Sequence, residues 1–125
     1  MPKAERRPGQ PSAPRLPKDV KTAIAAAADK KADDVVVLDL RKSSAFTDFF
    51  LICTGTNVRQ VQAIADAVVE SLRQQGSKPT LVEGYESGQW ILIDYFDFIV
   101  HVFTSSTRDF YALERLWGDA KRIEV

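Results

Sequence analysis

The sequence predicts an α/β (α+β) fold, a single mixed β-sheet of about five strands with helices packed on it. Three observations predict it. Val35-Val36-Val37-Leu38-Asp39-Leu40 and Asp48-Phe49-Phe50-Leu51-Ile52-Cys53-Thr54 are nearly continuous apolar runs of strand length, the pattern of strands covered on both faces. Residues 90–103 read as a hairpin of aromatic and β-branched residues, with a tight turn at Tyr95-Phe96-Asp97. Between them, apolar residues at 58, 61, 64, 65, 68, 69 and 72 recur at helical spacing.

In chain order, Asp19 caps a first helix through Val20, Ile24, Ala27 and Ala28 that ends by about Lys31. Its alanine run favours helix and permits close packing. The strand at 35–40 follows and is central in the sheet. Arg41-Lys42-Ser43-Ser44 is a polar turn into the second strand, which Gly55 ends. Thr56 or Asn57 caps the second helix, and Gly76 stops it. Leu81-Val82-Glu83 is a short strand, joined to the hairpin by the loop Gly84-Tyr85-Glu86-Ser87-Gly88. Ser106 with Asp109 is a capping pattern for a last helix, whose stripe is Phe110, Leu113 and Trp117 with Leu116 beside it. The order is α-β-β-α-β-β-β-α, with helices covering part of both sheet faces. Residues 1–18 form a disordered, proline-rich basic tail, 19–118 the domain, and 119–125 a short C-terminal tail.

Composition narrows the function classes. An apolar content of 45% and a charged content of 27% suit a soluble globular chain. No stretch approaches the roughly 18 apolar residues of a membrane span. The N-terminus lacks a secretory apolar core, and five prolines within the first 17 residues oppose an amphipathic presequence helix. A lone cysteine, Cys53, excludes an internal disulfide and fits a reducing cytoplasm. The formal charge is zero but uneven: residues 1–18 carry +4 and the rest −4. A mildly acidic folded part argues against direct nucleic-acid binding by that part, sequence-specific or not, because phosphate contacts need clustered Lys or Arg, and it suits a basic protein partner.

Motifs for chemistry are few. There is no phosphate-binding glycine loop and no nucleophile elbow. His101 is a possible general base, but a packed strand histidine fits its setting better. Cys53 lies where a small buried residue belongs. Asp39, Asp48, Asp94 and Asp97 sit near strand ends, where paired carboxylates could hold metal ions. Asp94 and Asp97 flank a tight turn, so turn and cap roles suit them better. Trp90 reads both ways, as core packing or as a partner contact. Tyr85 and Glu86, between glycines, are exposed-loop types that could flank an interface.

The motifs Lys42-Ser43-Ser44, Thr47-Asp48-Phe49-Phe50, Ile52-Cys53-Thr54-Gly55-Thr56, Arg59-Gln60-Val61 and Ala63-Ile64-Ala65-Asp66 occur in that order. Val82-Glu83-Gly84-Tyr85, Gln89-Trp90-Ile91-Leu92-Ile93-Asp94, Asp97-Phe98-Ile99-Val100-His101-Val102-Phe103, Arg108-Asp109-Phe110-Tyr111 and Leu113-Glu114-Arg115-Leu116-Trp117 follow. Together they resemble the ribosomal silencing factor S, or Iojap-like, family. The resemblance implies a non-catalytic, cofactor-free, cytoplasmic translation regulator. It would bind the large ribosomal subunit through its fourteenth ribosomal protein and block joining of the small subunit when nutrients are scarce. It also implies a trimmed nucleotidyltransferase-like fold and a homodimer in isolation, and some members are implicated in large-subunit maturation. The partner-binding residues it implies are Trp90 and, by proximity and motif, Tyr85, Glu86, Ile91, Leu92 and Asp94. Two readings compete: a nucleotidyltransferase-like enzyme dependent on Asp39, Asp48 or Asp94, and a homodimer seam at Trp90.

Overall fold

A computed structural model describes residues 16–43, 45–111, 115, 118 and 120–125. The proline-rich tail over residues 1–15 lies outside the described residues. So do Leu113, Leu116 and Trp117 and the side chain of Phe110, which make up the stripe expected on the last helix.

Helix α1 (Lys18–Asp29) starts two residues earlier than the sequence suggests, with Pro17 rather than Asp19 in the cap position and no side-chain cap. Asp19 therefore sits inside the first turn, where its charge still favours the positive end of the helix. Its carboxylate accepts from Gln75 Nε2 at 2.9 Å and Ser77 Oγ at 2.6 Å, tying the start of α1 to the end of the second helix. Helix α2 (Val58–Gln74) is capped by Asn57, whose Oδ1 accepts from the Gln60 amide at 2.8 Å. Gln60 Oε1 returns the bond to the Thr56 amide, and Gln60 Nε2 donates to the carbonyls of Lys30 and Lys31. The two helices thus run antiparallel, each end fixed to the other. Gly76 (φ +91°) ends α2 with paired bonds, Gly76 N–H to Arg73 O and Ser77 N–H to Leu72 O, as a helix stop in the left-handed region requires.

The strands are β1 (Asp33–Asp39), β2 (Phe49–Gly55), β3 (Leu81–Glu83), β4 (Trp90–Asp94), β5 (Phe98–Thr104) and β6 (Lys121–Glu124). They form one mixed sheet in the order β3-β4-β5-β2-β1-β6. Only β2 and β5 pair in parallel; the other neighbours are antiparallel. Every residue of β2 and β5 is buried, which is why both read as unbroken apolar runs.

The sixth strand corrects the reading of residues 119–125 as a tail. Lys121, Arg122, Ile123 and Glu124 pair with Asp39, Leu38, Val37 and Val36 at the sheet edge. Four residues with one apolar side chain carry no strand signal; the partner backbone supplies the structure. Helix α3 (Ser105–Tyr111) also departs from expectation. It follows β5 without a loop, so Ser106 lies inside the helix rather than at its cap.

Alternation divides the sheet into two faces. Val37, Leu51, Cys53, Ile91, Ile93, Val100 and Val102 face α1 and α2, meeting Val20, Ala23 and Ala27 and the Val61, Ile64, Ala65, Val68 and Leu72 stripe. Both long helices therefore share one face. The opposite face gathers Val36, Leu38, Phe50, Ile52, Ile99 and Phe103, with Trp90 and Leu92 packed against them. Arg108 pins α3 to the end of the sheet, its Nη1 donating to Asp34 O at 2.7 Å and to Thr54 Oγ1 at 2.8 Å. No helix among the described residues is long and apolar enough to cross a membrane.

Candidate functional site

Trp90 opens β4 opposite Phe103 of β5, on the face away from α1 and α2. The two rings stack with centroids 5.0 Å apart and planes 27° apart. The indole N–H donates to His101 Nδ1 at 3.1 Å, across the diagonal of the same strand pair. The imidazole is in turn met edge-to-face by Phe50 at 4.6 Å. Trp90 stays only partly buried, while Phe103 and His101 are buried beneath it. Leu92 and Asp94 continue the row on β4, opposite His101 and Ile99. Leu81 and Glu83 of β3 flank them, opposite Asp94 and Leu92. Leu81 is 46% exposed, so the apolar row reaches the sheet edge.

The loop before β4 fixes where Trp90 begins. Gly84 (φ +82°) lies so close that a Cβ there would meet Trp90 O at 2.1 Å. Gly88 (φ +68°) rests against helix α2, with a Cβ meeting Val58 Cγ1 at 2.4 Å. A Gly88 N–H to Gly84 O bond of 3.0 Å closes the loop. Gln89 holds the other side, its carbonyl accepting from the Thr104 amide and its Oε1 from the hydroxyls of Thr104 and Thr107.

The structure separates the six residues singled out from the sequence. Trp90, Leu92 and Asp94 share one face. Ile91 is fully buried on the opposite face against α2, because side chains alternate along a strand, and it offers no surface to a partner. Tyr85 also turns to the α2 side, its hydroxyl donating to Asp66 Oδ2 at 3.0 Å, which raises the phenol's pKa. Glu86 is exposed at the loop. Asp94 doubles as a turn residue: its Oδ1 accepts from the Phe96 amide at 2.7 Å, and Phe96 takes a positive φ of 72°. The sequence predicts a packed strand histidine at 101; the direct support that His101 and Phe103 give Trp90 is visible only once the pairing register is known.

Burial or pairing engages Cys53, His101 and Asp39. Burial pushes the Cys53 thiol up to about 12, which leaves it a protonated core residue. Burial likewise drives the His101 imidazole down to about 3. Because His101 Nδ1 accepts the indole proton, Nε2 carries the imidazole's own proton, and that buried donor has no partner among the described residues. Such a donor costs about 1–3 kcal/mol. Asp39 is engaged by Arg41 in a two-pronged pair of 3.0 and 2.7 Å, and that hydrogen bonding lowers its pKa. Among the described residues no group of three or more His, Cys, Asp and Glu is placed to hold a metal ion.

Side chains converge here as an aromatic cluster beneath a partly exposed indole, beside an apolar edge. Comparison with known proteins identifies the family. The family described as "Ribosomal silencing factor during starvation" matches residues 13–125. A Ribosomal silencing factor RsfS from Halalkalibacterium halodurans is 47% identical over 103 residues, covering 82% of this chain and 88% of that protein. The RsfS of Bacillus subtilis is 43% identical over 101 residues, covering 81% of this chain and 86% of its own length. The crystal structure of a Chromobacterium violaceum protein superposes with a TM-score of 0.80 at 37% identity, over 84% of this chain and 88% of the other. The chain belongs to the ribosomal silencing factor family.

Proposed function

We propose that this chain docks through its Trp90 face on the large ribosomal subunit, at the fourteenth ribosomal protein, and sterically blocks joining of the small subunit. Translation is thereby lowered when nutrients are scarce. The protein works in the cytoplasm, by binding rather than turnover, and rests as a homodimer when free. The observation that carries the reading is the partly buried Trp90 indole on a shaped apolar face, in a chain that belongs to the silencing-factor family. Charge supports it as well: residues 19–125 carry −4, and a basic ribosomal protein partner would be drawn to them.

Binding free energy and bulk suffice for this mechanism. An interface of roughly 1,600 Å² in total is the standard size for a specific complex. Central aromatic anchors carry most of the affinity, so Trp90→Ala should cost about 2 kcal/mol or more, roughly a thirtyfold rise in Kd. Titration of labelled protein against isolated large subunits measures it. Equal affinity of wild type and Trp90→Ala would remove the Trp90 face from the interface.

A further inference from the structure

We propose that His101 is the positioning residue of the docking surface: by accepting the Trp90 indole N–H at Nδ1, it fixes the orientation in which the indole meets its partner. This rests on the reading of Trp90 as a contact residue.

Stacking on Phe103 does not by itself distinguish the two faces of the indole, because either one covers the ring below. An indole N–H is a donor only, so a single acceptor in the right place selects one orientation. His101 Nδ1 is that acceptor, 3.1 Å away. The imidazole is itself closely packed. It is 3% exposed, Phe50 meets it edge-to-face, and its plane lies within 11° of Phe103. Its low pKa keeps the Nδ1 lone pair available at neutral and mildly acidic pH. The buried Nε2–H, without a partner among the described residues, strengthens the inference. Ile99 and Phe103, its neighbours on the same face, show that apolar side chains fill this layer. An imidazole that leaves a donor unmet is accounted for by what Nδ1 does for Trp90. A pre-set indole loses less rotational freedom on docking, which favours affinity.

The test uses the full chain and two replacements. His101→Asn keeps an acceptor oxygen at the position of Nδ1, and His101→Leu removes it. The Trp90 indole ¹H–¹⁵N signal, told from that of Trp117 by its loss in Trp90→Phe, reports the bond in the free protein. We expect His101→Leu to shift that signal upfield, speed its exchange with solvent and weaken large-subunit binding about tenfold. His101→Asn should retain the signal and the affinity. In a Trp90→Phe background, which has no N–H to hold, His101→Leu should weaken binding no further. His101→Met serves as the removal variant if His101→Leu does not fold. An unmoved indole signal, an Asn variant as weak as Leu, or losses that multiply in the double variant would each overturn the proposal. Intact binding by Trp90→Ala would instead overturn the docking reading, while the indole signal still decides the hydrogen bond.

Discussion

Burial decides the chemistry of the two groups that the sequence offers as nucleophile and base. Cys53, held up at about 12, should not react with a disulfide reagent at pH 8 until denaturant is added. Rapid stoichiometric labelling of the native protein would contradict that assignment. His101 has the opposite sign. Its folded pKa of about 3 lies below the unfolded value near 6.5, so the native state resists a proton that the unfolded chain accepts. Stability is complete above about pH 6.5 and falls as the pH drops toward 3, by at most about 1.4 kcal/mol per pH unit. Urea midpoints measured between pH 7 and 4.5 should show this slope, and His101→Asn should flatten it. Alternation made Trp90, Leu92 and Asp94 legible as one face from sequence. It also turns Ile91, which the resemblance adds by proximity and motif, to the opposite, buried face.

At the scale of elements, the loop over residues 84–88 joins sequence to site. Gly84→Ala must accept a positive φ and a Cβ 2.1 Å from Trp90 O, so the Trp90 backbone has to move. The expected outcome is a loss of about 1–3 kcal/mol in thermal or urea unfolding, together with weaker docking. Gly76→Ala is the control. It shares the positive φ but meets nothing within 4 Å, so it should cost about 1 kcal/mol and leave docking unchanged. The central strands and α2 were legible because their side chains are buried in patterns with a clear period. Strand β6 was not, since its structure comes from backbone pairing with β1 at an exposed edge. The start of α1 was misplaced because Asp19 looks like a cap, yet its carboxylate serves Gln75 and Ser77. The hydrogen bond from Trp90 to His101 lay beyond the sequence too: it depends on the β4–β5 register, which places Trp90 opposite Phe103.

For the whole molecule, one sheet divides the labour. One face packs against α1 and α2, and the other carries a second buried cluster with the partly buried Trp90 packed against it. Removing residues 119–125 should uncover the edge of β1, lowering the unfolding midpoint and promoting self-association, which light scattering would detect. The acidic balance of residues 19–125 predicts that association with the large subunit slows as salt rises. The central claim is steric exclusion through the Trp90 face, and sedimentation of purified large and small subunits with added protein tests it most directly. Wild type should travel with large subunits and deplete joined ribosomes, while Trp90→Ala should stay near the top of the gradient and leave joining intact. Wild type remaining at the top, with joining unchanged, would contradict the account.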